Sequence, residues 1–121
     1  MILADTSIWI DYLRGENLAM RELLQDGQIV MHPFVLAEIA LGSLKNRRKR
    51  LDEMASLLEV NVAQLSEVRH MIEAHQLYLR GIGLTDAHLI ASCLITSGTR
   101  LWTRDEALGA VASSLRIAVA P

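Results

Sequence analysis

The sequence is poor in several features that would point to particular classes of protein. Its 121 residues contain one cysteine, Cys93, which excludes an intramolecular disulfide and any metal site built from several cysteines. No apolar run approaches the roughly 20 residues that a membrane-spanning helix needs. The N-terminal stretch MILADTS also lacks the basic start of a secretory signal. These absences predict a cytoplasmic protein with no membrane segment.

Aromatic residues and positive charge are also scarce. Phe, Trp and Tyr make up 4% of the chain, so base stacking cannot be the main source of any affinity for nucleic acid. The net charge of −2 argues against a protein that coats nucleic acid by bulk positive charge. Five of the twelve basic residues nevertheless fall in one run, KNRRKR at 45–50. This run either contacts RNA phosphates or is a solvated helix face paired with Asp52 and Glu53.

About half of the residues are apolar, and they are arranged in short strand-like runs that alternate with longer helical patterns. Hydrophobic residues make up 51% of the chain and only two residues are proline, so neither disorder nor a linker is predicted. We therefore expect one domain over residues 1–121. Strands separated by helices pair in parallel through right-handed crossovers. This predicts an α/β fold of three α/β/α layers, with a central parallel sheet of about five strands.

Glycine, proline and hydrophobic spacing place the individual segments. The predicted strands are 2–4, 28–32, 58–63, 100–103 and 116–120. The predicted helices are 6–15, 18–25, 33–44, 45–58, 64–80, 85–98 and 105–115. In a sheet of this kind the working site lies outside the carboxyl ends of the strands. Polar residues just after strands are therefore the candidates for chemistry.

Four acidic residues meet this condition. Asp5 follows the first strand directly, and Asp105 comes two residues after the fourth. Asp86 opens a helix, and Glu38 is the lone polar side chain in the run FVLAEIAL. If the first and fourth strands are central neighbours, all four acids meet at one edge. Taken singly, Asp5 is also explained as the cap of the first helix. Asp86 is explained as a first-turn charge behind Thr85 as N-cap, and Asp105 by a capping box of Thr103 and Glu106. Glu38 lies too far into its helix for a capping role. Its neighbours predict a face turned inward, with a surface position as the alternative.

Such a cluster would be costly without a cation, because neighbouring carboxylates repel one another. Oxygen ligands without His or Cys suit Mg²⁺, for which Mn²⁺ substitutes. An ion of this kind activates water and stabilises the charge of a phosphoryl transition state. The residues alone therefore predict a metal-dependent phosphodiester hydrolase. Its metal ligands and catalytic residues would be Asp5, Glu38, Asp86 and Asp105.

Four stretches of the chain resemble a PIN domain, specifically a VapC-type toxin ribonuclease of a bacterial toxin–antitoxin (VapBC) pair. They are LADTSIWIDYLRG, PFVLAEIALG, GLTDAHLIA and LWTRDEAL, in that order over essentially the whole chain. The resemblance implies a single PIN domain and cleavage of RNA with Mg²⁺ or Mn²⁺. It carries metal-binding roles onto the four acids and supporting roles onto Thr6 and Thr103. It also implies a cognate VapB-type antitoxin and a homodimer, or a heterotetramer or larger assembly with that antitoxin.

Two other functions stay open. A receiver-like signalling domain shares the architecture and the acidic strand-end pocket, but it needs a lysine after a late strand, and the only lysines are Lys45 and Lys49. A non-catalytic PIN-like binding module would use the acids as caps or binding contacts, and it predicts no stabilisation by metal.

The remaining residues of chemical interest are predicted to be structural. The four histidines lack the spacing of metal ligands and are expected to be structural or surface residues: His32, His70, His75 and His88. Cys93 is expected to be buried and inert. Trp9 is expected in the core or in the wall of an antitoxin groove. Arg104 either contacts phosphate or pairs with carboxylates.

Overall fold

All seven helices predicted from the sequence are present in the described residues. The computed structural model describes residues 1–15 and 17–121, and within these ranges it contains three strands and seven helices. The strands are β1 (Ile2–Ala4), β2 (Ile29–Val30) and β3 (Arg100–Trp102). The helices are α1 (Thr6–Leu13), α2 (Leu18–Gln25), α3 (Pro33–Ala40), α4 (Arg47–Ala55), α5 (Leu65–Ala74), α6 (Leu84–Ile95) and α7 (Glu106–Ser114).

The sheet is parallel, and β1 lies between β2 and β3. Ile2 aligns with Ile29 on one side and with Arg100 on the other. The prediction that the first strand and the 100–103 strand are neighbours is therefore confirmed, and their carboxyl ends share one edge. From β1 the chain crosses first to β2 and later to β3, in opposite directions along the sheet. Right-handed crossovers in opposite directions place helices on both faces.

Two of the five predicted strands are reduced to single bridges, so the described part of the sheet has three strands. Met31 pairs with Glu59 and Leu101 pairs with Ala118, both in parallel. Each bridge adds one residue pair to an outer edge of the sheet. The side chains of Leu58 and Glu59 are exposed, so little burial is available to extend the pairing there. The architecture is as predicted, but the expected count of about five regular strands is wrong.

Two helices, α3 and α5, end at least four residues earlier than predicted. α5 stops at Ala74 instead of residue 80, because Gln76 and Leu79 adopt left-handed φ values of 53° and 60°. Leu79 continues the apolar spacing of the predicted helix 64–80, but its side chain is 100% exposed. α3 stops at Ala40, where the segment from 41 to 46 leads into α4.

The most deeply buried helix in the described ranges is α6. Every residue from Ala87 to Cys93 is buried, as expected for a helix that is apolar on all sides. The burial of Cys93 confirms its prediction and raises the pKa of its thiol to about 12. No helix among the described residues is both long and apolar enough to span a bilayer. The depth of α6 matters for the site because Asp86 lies in its first turn.

Candidate metal centre

Asp5 is the most buried of the four predicted acids, with 6% of its surface exposed. It follows β1 and is the N-cap of α1, where Oδ1 accepts the Ile8 N–H at 3.2 Å. The hydroxyl of Ser7 donates to the same oxygen, and the hydroxyl of Thr103 donates to Oδ2. The capping role left open by the sequence is thus real. It still leaves lone pairs free, because each carboxylate oxygen accepts more than one hydrogen bond.

Glu38 reaches the same edge from α3, but not from a buried face. Its side chain is exposed, so the prediction of an inward-turned face is wrong and the surface alternative is correct. Val35 and Ile39 occupy the buried face of this helix instead. The Thr6 hydroxyl donates to Glu38 Oε1 at 2.8 Å, which ties α3 to the first turn of α1. Thr6, which was predicted to support the acidic cluster, therefore contacts one of its members, Glu38.

Asp105 begins α7 just beyond β3. It is the N-cap of that helix, with Oδ1 accepting the Leu108 N–H at 2.8 Å. Its own N–H donates to the Thr103 hydroxyl at 3.0 Å. Since Thr103 also donates to Asp5, this one hydroxyl connects the loops that follow β1 and β3. The second predicted supporting residue thus joins two of the acids.

Asp86 lies in the first turn of α6 and is partly buried. Its Oδ2 accepts the Gly83 N–H at 3.2 Å, so Gly83 is the N-cap and the predicted capping role of Thr85 is wrong. Burial raises the pKa of the Asp86 carboxyl above its ordinary value of 3.8, and this outweighs the opposing effect of the Gly83 hydrogen bond. The negative charges of Asp105, Asp5 and Glu38 raise this pKa further. All four acids therefore share one electrostatic environment, which we name the acidic edge.

The acidic edge brings four charges together without closing them into a ready-made ligand cage. Among the described residues, 1–15 and 17–121, no three His, Cys, Asp or Glu side chains are close enough together to hold one ion. Mg²⁺ nevertheless keeps several waters and takes one or two carboxylates directly. The donor set consists of hard carboxylate oxygens, and a cation would offset the neighbouring negative charges that add to the effect of burial on the Asp86 pKa. The residues therefore fit a hydrated Mg²⁺ or Mn²⁺ ion.

Two polar partners of the edge were missed by the sequence analysis. Ser7 donates to Asp5 and accepts the Arg104 N–H at 3.1 Å, so it links α1 to the loop after β3. The tripeptide DTS carried the signal, since it has two hydroxyls directly after the acid. The second missed partner is Asp11, which forms an ion pair with the Arg104 guanidinium. Of the two roles considered for Arg104, pairing with a carboxylate is the one observed.

The basic run at 45–50 has a structural member. The Arg47 guanidinium donates to the carbonyls of Ala40 and Gly42, the latter at 3.3 Å, and so satisfies backbone acceptors at the end of α3. No ion pair with Asp52 or Glu53 joins the run within the described residues. Most of the run is exposed, so the predicted contact with phosphates stays a prediction for its other members.

A second concave surface lies between α1, α2 and α4, and we name it the α1–α4 groove. Two adjoining cavities of about 140 and 310 Å³ open there, and Tyr12, Leu13 and Arg50 line both. The other apolar lining residues are Trp9, Leu18, Leu24, Met54 and Leu57. Two arginines, Arg21 and Arg50, and one acid, Glu53, supply its charged groups among the described residues. The groove therefore combines an apolar floor with a mainly positive rim.

Comparisons with known proteins agree with this geometry. The family model described as "PIN domain" matches residues 2–113. The chain is 42% identical over 120 residues to the protein named Ribonuclease VapC32 of Mycobacterium tuberculosis, strain CDC 1551 / Oshkosh. The same identity holds for Ribonuclease VapC32 of strain ATCC 25618 / H37Rv. In both cases the alignment covers 99% of this chain and 97% of the relative.

Proposed function

Because the chain belongs to the PIN-domain family, and to its VapC-type members, we propose that it is a metal-dependent endoribonuclease and the toxin of a toxin–antitoxin pair. One observation carries the catalytic part. Three helix starts and one helix interior bring four carboxylates to the carboxyl edge of the sheet, where burial and the negative charges of Asp105, Asp5 and Glu38 raise the pKa of Asp86. That is the place where this architecture puts its chemistry.

The roles of the residues follow from their bonds and exposure. Asp5, Asp86 and Asp105 would hold Mg²⁺ or Mn²⁺, directly or through water, with the oxygens left free by their caps. When bound, the ion would activate water and stabilise negative charge on the phosphoryl group. Glu38 is exposed and fixed by Thr6, so it can orient the attacking water or contribute to the ion from the solvent side. Thr103 and Ser7 hold Asp5 in one orientation.

Amide variants of two acids test the assignment. Asp5→Asn keeps an N-cap side chain for α1, and Glu38→Gln keeps an acceptor for the Thr6 hydroxyl. We expect each to lower the rate of Mg²⁺-dependent RNA cleavage by at least about 100-fold, because each removes a charge that acts on the transition state. Cleavage of a mixed RNA substrate and the far-UV CD spectrum would be measured.

The matched control is Asp52→Asn, which removes an exposed charge on α4, a helix outside the acidic edge. It should cleave RNA within about twofold of the wild-type rate. Undiminished cleavage by both Asp5→Asn and Glu38→Gln would contradict the assignment.

Metal binding separates the enzyme from the two alternatives. Mn²⁺ should raise Tm by an amount that grows with the logarithm of its free concentration above Kd, and the shift should disappear in Asp5→Asn. A non-catalytic module predicts no shift. A receiver-like domain predicts stable labelling of an aspartate by a small phosphodonor. It is disfavoured because both lysines, Lys45 and Lys49, lie at or in α4 and far in sequence from β3.

We propose that the cognate VapB-type antitoxin inserts an acidic amphipathic segment into the α1–α4 groove. The apolar floor would take apolar side chains, and Arg21 and Arg50 would take carboxylates at the rim. Trp9 contributes to the apolar floor, with 2% of its surface exposed.

Charge reversal at the rim tests this placement. Arg21→Glu combined with Arg50→Glu should weaken antitoxin binding by at least about 10-fold, because two attractive contacts become repulsive. Arg69→Glu makes a similar change on the exposed surface of α5 and serves as the control. Equal affinities for the double variant and the control, measured by calorimetry, would place the antitoxin elsewhere.

The assembly and location follow from family membership as further proposals. We propose a cytoplasmic homodimer, or a heterotetramer or larger assembly when the antitoxin is bound. Light scattering on the purified chain, alone and with antitoxin, would give the mass of each species. A monomer at all micromolar concentrations would contradict the dimer.

A further inference from the structure

Three buried polar atoms at the start of α3 and on α6 have no hydrogen-bond partner among the described residues. They are Nε2 of His32, Nδ1 of His88 and Oγ of Ser92. These residues are 0%, 4% and 0% exposed, so bulk water does not satisfy them. A buried polar group that is left unpaired destabilises the folded state. The expectation that these two histidines are structural therefore leaves open how their nitrogens are satisfied.

The two imidazole rings are too far apart for a direct bond and suitably spaced for a bridged one. Their centroids are 6.3 Å apart. With a hydrogen bond of about 2.9 Å, two such rings have centroids no more than about 5.3 Å apart. An intervening water extends this to about 6–8 Å. Phe34 packs on both rings, with centroid distances of 5.1 Å to His32 and 4.4 Å to His88, and adds an apolar cover.

The donors and acceptors are complementary around such a water. His32 Nδ1 accepts the Phe34 N–H at 3.0 Å as the N-cap of α3, so its hydrogen is on Nε2, which is a donor. Burial lowers the pKa of His32 to about 4, so this ring is neutral at pH 7. With its hydrogen on Nε2, His88 offers Nδ1 as an acceptor. Ser92 lies one turn further along the same face of α6.

We propose that one buried water molecule accepts a hydrogen bond from His32 Nε2–H and donates to His88 Nδ1 and Ser92 Oγ. This gives the water the three bonds typical of buried water in proteins. The bridge joins the start of α3, the helix of Glu38, to α6, the helix of Asp86. His32 and His88 are then positioning residues that set the spacing of two acids they do not touch. The bridge stands by itself, and its consequence for metal binding rests on the proposed function.

A thermal double-mutant cycle tests the bridge. His32→Asn keeps a side-chain cap for α3 but removes the Nε2 donor. His88→Leu removes the Nδ1 acceptor, and His88→Asn restores an oxygen close to the Nδ1 position. We expect each of the first two to lower Tm by about 3–10 °C. The Tm of the double variant should lie within about 2 °C of that of the less stable single variant, because both substitutions break the same bridge.

The rescue variant His88→Asn should recover at least half of the Tm loss seen in His88→Leu. Additive losses, or no recovery, would overturn the bridge.

Spectroscopy and metal binding provide readouts that stability alone does not move. The His32 Nε2–H should give a slowly exchanging proton resonance that Ser92→Ala shifts, and an unshifted resonance would remove Ser92 from the bridge. Mn²⁺ affinity should fall at least about fivefold in His88→Leu and stay within about twofold in Val68→Ala, a core variant of α5, which carries none of the four acids. Equal losses in both would overturn the positioning role. If the wild-type chain bound no Mn²⁺, the proposed function would fail, and the thermal cycle would still decide the bridge.

Discussion

At its first turn, α1 supplies Thr6 to the acidic edge directly after Asp5, whereas Tyr12 and Leu13 near its other end line the α1–α4 groove. The edge is rich in hydrogen bonds and poor in charge balance, since its carboxylates are held by caps and hydroxyls but also repel one another. The groove is the reverse, with apolar walls and an excess of arginine.

The difference indicates what each region lacks. A carboxylate cluster whose shared charge raises a pKa gains most from a cation. An apolar concavity with a basic rim gains most from burial by an amphipathic acidic segment. One eight-residue helix thus joins a region suited to a metal with a region suited to a protein partner.

The largest expected effect, on antitoxin binding, comes from placing a carboxylate like those of the acidic edge in the α1–α4 groove. Leu13→Asp introduces a carboxylate at a position that lines both cavities. It should weaken antitoxin binding by at least about 100-fold, because an acidic segment would meet a buried like charge. Asp5→Asn, at the other end of the helix, should bind the antitoxin within about threefold of the wild type. If the two variants lost affinity equally in calorimetry, the separation of the two regions would be wrong.

An intermediate effect is expected within the edge itself. Thr103→Val keeps the shape of the side chain but removes the hydroxyl that bonds both Asp5 and Asp105. We expect RNA cleavage to slow by about 10-fold, less than the loss from removing a carboxylate, because orientation is lost while charge remains. Single-turnover cleavage rates measure this. Thr99→Val, which replaces a buried threonine at the opposite end of β3, is the control and should leave the rate within about twofold.

A smaller effect separates two members of the basic run. Arg47→Ala removes the donors to the carbonyls of Ala40 and Gly42 and should lower the free energy of unfolding by about 1 kcal/mol. Arg48→Ala changes its exposed neighbour and should leave stability within about 0.5 kcal/mol. Urea titrations of both variants compare them. Equal stability would show that the Arg47 contacts contribute little in solution.

The smallest effect concerns pH. The raised pKa of Asp86 means that its protonated form favours folding, and this contribution is lost as pH rises from its ordinary value of 3.8 through the raised value. Without metal, Asp86→Asn should therefore have a Tm about 1–3 °C above the wild type at pH 7, a modest gain because solvent screens the site. The gap should close toward pH 4. Calorimetry in EDTA would measure it, and an unchanged Tm at pH 7 would argue against mutual repulsion at the edge.

Much of the fold followed from local patterns in the sequence. The bounds of α2 match the prediction, and Pro33 begins α3, because hydrophobic spacing, glycine and proline act through neighbouring residues. The end of α5 could not be predicted in this way. Its periodicity continues to Leu79, but the chain turns out of the helix at Gln76, where it enters the loop that leads to α6. The local pattern of 58–63 and 116–120 likewise predicted full strands, although each segment forms a single bridge.

The candidate site also has features that the sequence predicted and features that only the structure showed. The sequence by itself determined which acids are candidates, because strand ends and one lone glutamate in an apolar run can be seen in the order of residues. Only the tertiary structure decided that Glu38 is exposed and held by Thr6, that Ser7 and Thr103 share Asp5, and that His32 faces His88. These contacts join residues that are mostly far apart in the chain. Their distances depend on how β1, β3, α3 and α6 pack, and packing is a property of the whole core.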